Sequence, residues 1–66
     1  MHNLIMQHYG HEVEVRDHDG RVYRGSIDGV NQTRGMFIRD RFFRRIFIPF
    51  FLIASIFSFR FRRRIF

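Results

Sequence analysis

Residues 12–27 read EVEVRDHDGRVYRGSI, and this stretch carries the clearest secondary-structure signal in the chain. Charged and apolar residues alternate over residues 12–16, a period of two that is typical of a half-buried β-strand. The dipeptide Asp19-Gly20 follows, and it is a strong β-hairpin signal. A second strand is therefore predicted to begin at Arg21 and to pair with the first.

The second predicted strand, residues 21–30, carries Gly25 in its interior. A glycine inside a strand permits a sharp bend or the close approach of another backbone, so we expect the sheet to curl at this position. A polar loop over residues 31–35 then precedes a short third strand, residues 36–39. The middle of the chain is thus predicted to be an antiparallel sheet.

The remaining elements are a short helix and two C-terminal strands. Asn3 is the expected N-cap of the helix and Gly10 its C-terminal stop. The last two strands are predicted at residues 45–52 and 55–62, with Pro49 marking an edge or a bend. Alternation over the final strand puts Phe57, Phe59 and Phe61 on one face, and the basic tail, residues 62–66, is expected to be disordered until it meets a partner.

These elements predict one domain over residues 1–66, mostly β, with a short N-terminal α-helix followed by five strands in a strongly bent antiparallel barrel. A chain of 66 residues builds only a small core, and without cysteine it has no disulfide to reinforce it. Its ten phenylalanines exceed what such a core can hide. We therefore expect part of this apolar surface to be covered by other copies of the chain.

Charge is distributed unevenly. The net charge is +6 and every basic residue other than histidine is arginine, yet residues 1–33 sum to −2 while residues 34–66 sum to +8. Arginine favours bidentate contacts with phosphate and stacking on flat rings, so the second half of the chain is expected to meet a polyanion. The alternative interpretation is a solubilising arginine fringe around an apolar strand.

The first half of the chain resembles the Sm and LSm family, which includes the bacterial RNA chaperone Hfq. The similarity covers residues 4–39: a glycine at Gly10, alternating valines, the turn Asp19-Gly20, then Tyr23, Gly25 and Ile27, and Asn31 four residues later. It implies a five-stranded Sm-like barrel in which the fourth strand of one subunit pairs with the fifth strand of the next. It also implies a homo-oligomeric ring, a hexamer or heptamer, that binds RNA.

The candidate RNA-binding residues combine the polar loop after strand two, a segment where cations and aromatics interleave, and the basic C-terminal strand. Interleaved arginine and phenylalanine suit single-stranded RNA because the cations neutralise phosphates and the rings stack on bases. The sequence preference of the RNA stays open. The candidates are Asn31, Gln32, Arg34, Arg39, Arg41, Phe42, Arg44, Arg45, Arg60 and Arg62.

The same residues bear on other functions. The apolar segment 46–59, with its flanking arginines, favours the alternative of a membrane-surface or protein-interaction module, although it is too short for a typical spanning helix. The histidines lack fixed partners for a metal, and no nucleophile, base and orienting group converge in the sequence. We therefore expect no cofactor, no metal and no enzymatic activity, and a cytoplasmic location because the N-terminus lacks a secretory signal.

Overall fold

The computed structural model describes residues 1–66 and contains one helix and six strands. Helix α1 spans His2–Met6. The strands are β1 (Glu12–Asp17), β2 (Val22–Asn31), β3 (Gly35–Arg39), β4 (Arg45–Pro49), β5 (Ile53–Ser58) and β6 (Arg63–Arg64), with a 3₁₀ turn at Phe50–Leu52. The prediction of a mostly β chain behind a short N-terminal helix is confirmed.

The six strands form a single antiparallel sheet in the order β4-β3-β2-β1-β5-β6. The chain measures 24 Å along each of its three principal axes, and since most of it lies in this one sheet, the sheet is strongly bent, because a flat sheet is far thinner than it is wide. It stays open, since β4 and β6 lie at opposite edges, and the prediction that the strands form a barrel is therefore wrong. The predicted count of five strands is wrong, because Arg63 and Arg64 pair with β5 as a sixth strand.

The core lies inside the bend. Val13 and Val15 are fully buried, which confirms the inward face predicted from the alternation of β1. The rest of the core comes from one methionine and isoleucines on the helix and four other strands, namely Ile5, Ile27, Met36, Ile38, Ile48, Ile53 and Ile56. No phenylalanine belongs to this core, and six of the ten are exposed. The aromatic surface predicted to exceed the interior is therefore present.

The β1–β2 hairpin is closed by a buried carboxylate at Asp17, which is 5% exposed. Asp17 accepts hydrogen bonds from the N–H groups of Asp19 (3.0 Å) and Arg21 (2.8 Å) and from the Tyr23 hydroxyl (3.2 Å). Burial acts to raise the pKa of Asp17, but these donors outweigh it and hold the pKa below its usual value. Gly20, at φ +87°, completes the predicted turn.

Gly25 makes the close approach expected of it. The backbone carbonyl group of Arg39, at the end of β3, packs against the Cα of Gly25, and the space where a side chain would begin is filled by that carbonyl. This contact brings the β3–β4 turn over the middle of β2 and sets the position of the basic residues in that turn. Gly35 is similarly enclosed by the backbone of β4.

Two helix predictions and two strand predictions need correction. The predicted strand 45–52 ends at Pro49, and residues 50–52 form the 3₁₀ turn. Met1, not Asn3, is the N-cap of α1. The helix ends at Met6, and residues 7–10 form turns, the last of which includes Gly10 at φ +81°. The final predicted strand ends at Ser58 rather than at residue 62. Residues 59–62 form a turn instead, so Phe61 leaves the face of Phe57 and Phe59 and packs edge-on against the rings of His8 and His11.

Pro49 is the last residue of β4, an edge strand, as its sequence position predicted. Hydrogen bonds from Asp40 N–H to Arg44 O and from Phe50 N–H to Arg34 O fix the alternation between β3 and β4. In that alternation the nitrogen of Pro49 faces the open edge, so its missing N–H costs no hydrogen bond within the sheet.

Candidate nucleic-acid interface

The ten candidate residues lie in three separate places on the sheet. The first is the β2–β3 loop with Asn31, Gln32 and Arg34, and the second is the β3–β4 turn with its flanking strand ends, which hold Arg39, Arg41, Phe42, Arg44 and Arg45. The third is the turn after β5, with Arg60 and Arg62. One open cleft, of about 570 Å³, collects Arg39, Arg41 and Phe42 beside Glu12 and Arg24. The structure brings no single pocket together from all three groups.

The β2–β3 loop is organised by the Asn31 side chain. Its Oδ1 accepts hydrogen bonds from the N–H groups of Thr33 (3.1 Å) and Arg34 (3.1 Å) and from the Thr33 hydroxyl (3.3 Å). This pattern is a local turn in which the amide oxygen replaces a backbone acceptor. The oxygen of Asn31 is thus occupied within the loop, while Gln32 and Arg34 lie exposed at its tip.

The 3₁₀ turn lies beside this loop, because Phe50 donates its N–H to the carbonyl of Arg34 at 2.9 Å. The next residue, Phe51, is 78% exposed. A flat apolar ring therefore lies on the segment that adjoins Gln32 and Arg34, although its position in the sequence suggested only an apolar strand. Such an exposed ring is a candidate stacking surface for a base.

The β3–β4 turn, residues 40–44, is held by the carboxylate of Asp40. Its Oδ1 accepts the N–H groups of Phe42 and Arg44, both at 2.9 Å, and its Oδ2 lies 3.4 Å from Nε of Arg44. The N–H of Arg44 is the main cause that lowers the pKa of Asp40; burial opposes it, and the N–H of Phe42 and the Arg44 guanidinium add to the lowering. The contacts of Asp40 therefore fix the shape of the turn, and Phe42 and Phe43 lie exposed on it.

Asp28 holds two of the candidate arginines. It occupies the bulge where β2 shifts register against β3, and its Oδ2 accepts hydrogen bonds from Arg39 Nη2 (3.0 Å) and Arg45 Nε (2.9 Å). The hydrogen bond from Arg39 is the main cause that lowers the pKa of Asp28, burial opposes it, and Arg45 lowers the pKa further. Arg45 also lies over the ring of Phe37 at 3.9 Å, so its guanidinium contacts both a carboxylate and an aromatic ring.

Seven of the twelve arginines have no Asp or Glu carboxylate within 4.0 Å. They are Arg21, Arg34, Arg41, Arg60, Arg62, Arg63 and Arg64. Four of the seven predicted arginine contacts, at residues 34, 41, 60 and 62, are therefore uncompensated positive charges. Arg39, Arg44 and Arg45 instead form ion pairs with Asp28 or Asp40.

Phe43 combines exposure with an unfavourable backbone. Its side chain is 81% exposed and its φ is +63°, in the left-handed region that glycine prefers. Neither burial nor backbone preference accounts for phenylalanine at this position. Its neighbour Phe42 is also exposed and has the guanidinium groups of Arg41 and Arg44 within 5.0 and 5.5 Å of its ring centre. The turn thus presents two aromatic rings among arginines.

Comparison of the chain with protein-family models, with curated proteins and with solved structures found no match.

The apolar segment 46–59 forms β4, the 3₁₀ turn and β5, and its residues Ile48, Ile53 and Ile56 belong to the core. No helix in the structure has the length and apolar character needed to cross a bilayer. The histidines do not form a cluster of three or more potential metal ligands with one another or with carboxylates. His8 and His11 do meet, with their Nδ1 atoms 3.4 Å apart.

The candidate residues left out two exposed aromatic residues, Phe43 and Phe51, although Phe43 lies within the segment of interleaved arginines and phenylalanines. A signal for Phe43 was present, because residues 40–44 begin with an aspartate that can close a turn and so turn the following residues outward. Phe51 carried no such signal, since it lies within an unbroken apolar run. Its exposure follows from the end of β4 at Pro49, after which the chain crosses to β5 through the 3₁₀ turn.

Proposed function

We propose that the protein is a non-enzymatic, Sm-like, ring-forming protein that binds single-stranded RNA through arginine and aromatic contacts. The observation that carries this proposal is the β3–β4 turn, where Phe42 and Phe43 are exposed beside the unpaired guanidinium of Arg41. A cation next to exposed flat rings can neutralise a phosphate while a base stacks on the ring. The turn combines these two features within three consecutive residues.

The distribution of charge supports RNA more than a neutral partner. All but one of the seven unpaired arginines lie in residues 34–66, where Asp40 is the only acidic residue. Guanidinium groups that lie on one surface without carboxylates repel one another, and a bound polyanion would compensate their charge. Arginine also hydrogen-bonds phosphate oxygens in a bidentate geometry that lysine lacks.

The exposed aromatic surface supports self-assembly. Six phenylalanines are exposed, and β4 leaves one edge of the sheet without a partner. An exposed edge strand tends to recruit another chain, and a closed ring removes every such edge. β4 and β5 lie at opposite edges of the five-stranded part of the sheet, so each subunit can offer β4 to one neighbour and, where the two-residue β6 leaves its edge, β5 to the other. This arrangement suits a homo-oligomeric ring, for which the resemblance to the Sm and LSm family implies six or seven subunits.

The RNA proposal predicts salt-sensitive binding that depends on Arg41. A fluorescein-labelled single-stranded oligoribonucleotide should bind with an affinity that falls steeply between about 50 and about 500 mM salt, because phosphate contacts release counterions. Arg41→Ala should weaken binding and reduce the slope of log affinity against log salt by about one for each subunit that contacts the RNA. Fluorescence polarisation at several salt concentrations measures both quantities.

Arg16→Ala is the matched control for Arg41→Ala. Arg16 is exposed on β1, pairs with Glu14 at 3.3 Å and lies outside the three groups of candidate residues. Removing it changes the net charge by the same amount, so an equal loss of affinity in both variants would show that only total charge matters. Absence of RNA binding even at low salt would contradict the proposal, and binding to anionic vesicles instead would favour the membrane-surface alternative.

Phe43→Gly should stabilise the fold and weaken RNA binding at the same time. Glycine has no Cβ and so avoids the steric cost that Phe43 has in the left-handed region. The free energy of unfolding should therefore rise by about 0.5–1 kcal/mol. Loss of the ring should lower RNA affinity about fivefold, since one stacked base is worth about 1 kcal/mol or more. Thermal unfolding and polarisation measure the two effects.

Phe42→Gly is the matched control for Phe43→Gly, because Phe42 is exposed in the same turn and does not have a positive φ. Glycine at position 42 should therefore lower the stability rather than raise it. A Phe43→Gly variant that is more stable yet binds RNA as well as the original protein would remove Phe43 from the interface.

A further inference from the structure

The C-terminal return segment, residues 59–66, folds back along the outer edge of β5. Ser58 Oγ accepts the N–H of Phe61 at 3.3 Å, and Arg62 adopts φ +54°, so the chain reverses direction. Ile65 then donates its N–H to the carbonyl of Ile56 at 2.8 Å, while Ile56 donates its own N–H to the carbonyl of Phe66 at 3.1 Å. Both outward-facing backbone groups of Ile56 are thus taken by the return segment.

This segment is held by few contacts. Its regular strand, β6, has two residues, against five to ten in the other strands of the sheet. Arg62, Arg63 and Arg64 are exposed, and no Asp or Glu carboxylate lies within 4.0 Å of them. The guanidinium of Arg64 has only the carbonyl oxygen of Phe66, to which its Nε donates at 3.3 Å. Ile65 is half-buried against the core, and Phe61 touches His8 and His11 while staying 48% exposed. A segment with so short a pairing can be displaced.

The opposite edge of the sheet carries the complementary groups. By the alternation between β3 and β4, Arg45 and Phe47 direct their N–H and C=O groups away from β3, toward an edge that nothing in the chain covers. On β5, Phe59 N–H donates to Glu12 O, and the same alternation directs Ile56 and Ser58 away from β1. Both edges therefore offer backbone groups at every second residue.

From these two edges we infer that the return segment is a displaceable cap on β5, and that β4 of a second copy of this chain replaces it on assembly. This inference rests on the proposed self-assembly, and it describes how the return segment would regulate that assembly. The cap and the incoming β4 both require the backbone groups of Ile56, so they exclude each other. A subunit with the cap in place cannot accept a neighbour on that edge.

The cap has a clear physical effect. When the chain is dilute, β6 protects the edge of β5 from uncontrolled pairing, as covered edges do in other sheet proteins. As the concentration rises, a second copy competes for the same edge, and assembly proceeds only from the uncapped fraction of subunits. The apparent affinity between subunits is lowered by that fraction.

A disulfide lock tests the cap within the full chain. Phe57 and Arg64 are direct partners between β5 and β6, at a position where antiparallel Cα atoms are about 4.5 Å apart, and the protein has no other cysteine. In the double variant Phe57→Cys with Arg64→Cys, oxidation should fix the cap and raise the concentration for half-assembly by more than about tenfold. Reduction should restore assembly. Native mass spectrometry over a dilution series gives the readout.

The double variant Phe57→Ser with Arg64→Ser, treated with the same oxidant, is the matched control and should assemble alike in both conditions. If the oxidised and reduced cysteine proteins assemble equally well, the cap is not in competition with assembly and the inference fails, while the ring survives. If the locked variant, its reduced form and the original protein all remain monomeric, the ring and the cap fail together.

Ile65→Pro gives a second test that needs no oxidation. Proline removes the N–H that donates to Ile56, so the cap should loosen and assembly should occur at a concentration about three to ten times lower. Circular dichroism confirms that the sheet is retained. A folded Ile65→Pro protein that needs a higher concentration to assemble would overturn the inference, because the return segment would then support assembly.

Discussion

Gly25→Val should abolish folding. A Cβ on Gly25 would overlap the carbonyl oxygen of Arg39 and lie 2.9 Å from its carbonyl carbon and 3.2 Å from the Cα of Asp40. These are backbone atoms at the end of β3, so the clash can be relieved only by separating β3 from β2. A domain of this size has about 3–5 kcal/mol of stability from its core, and loss of this packing removes it. Circular dichroism during heating should show no cooperative transition.

Gly10→Ala is the control for this experiment. Gly10 has φ +81°, and apart from its two chain neighbours no residue has an atom within 4 Å of the position that its Cβ would take. Alanine there should therefore cost about 1 kcal/mol through backbone conformation alone and leave the protein folded. A folded Gly25→Val protein would show that β3 can shift without loss of the core, and the close approach would then not determine the fold.

The elements that the sequence predicted well are those whose signals are local. The alternation at Val13 and Val15 and the turn at Asp19-Gly20 lie within the β1–β2 hairpin, so neighbouring residues determine them. Gly25 was also interpreted correctly, because a glycine weakens a strand interior and usually marks a bend or a close backbone contact there. The short helix was found, but its first residue and its end were misplaced, as helix ends depend on weak and competing caps.

The errors at the C-terminus come from contacts between residues far apart in the chain. Alternation continues through Phe59 and Phe61, which predicts one long strand. The chain turns instead, and Phe61 packs against His8 and His11 at the other end of the sequence. No pattern within residues 55–66 reports where those histidines lie. The sixth strand has another cause: it pairs with β5 only a few residues away, but it can form only because the chain turns at residues 59–62, where alternation predicted that the strand would continue.

The sequence predicted which residue types form the candidate site, but it did not predict how their side chains are arranged. Arginine among phenylalanines in residues 39–45 pointed to the β3–β4 turn, and that turn is exposed. Which arginines are free was beyond the sequence, because Asp28 meets Arg39 and Arg45 only through the register of β2, β3 and β4. The sequence likewise does not show that the side-chain oxygen of Asn31, a predicted RNA contact, accepts hydrogen bonds within the loop.

Asp28→Asn should destabilise the protein and strengthen RNA binding. Arg39 and Arg45 are direct partners between β3 and β4, and the carboxylate of Asp28 compensates both. Without it, two like charges face each other, which should lower the melting temperature by about 5 °C. The guanidinium groups lose their carboxylate partner, and the net charge of the protein becomes more positive by one. RNA affinity should therefore rise about threefold at low salt. Thermal unfolding and polarisation at low and high salt give the two values.

Glu14→Gln removes the same charge from β1, where Glu14 pairs with Arg16 alone at 3.3 Å, outside the candidate residues. It should change both quantities less than Asp28→Asn does. If the two variants gain the same RNA affinity, Arg39 and Arg45 do not reach the RNA when released, and Asp28 has no special influence on the interface.

Acid pH separates the contribution of Asp28 from that of the other carboxylates. Because its pKa is lower in the folded protein than in the unfolded chain, the ionised form stabilises the fold above the usual pKa of aspartate, and this stabilisation is lost as the pH falls through the lowered pKa. Asp17 and Asp40 shift in the same direction, so both the original protein and Asp28→Asn should lose stability in acid. The difference between the two proteins should nevertheless shrink toward zero in the acid range, since a protonated Asp28 has no more charge than an asparagine. A difference that is unchanged from neutral pH to strong acid would mean that Asp28 acts through its shape and not through its charge, and that Arg39 and Arg45 are held by the strands themselves.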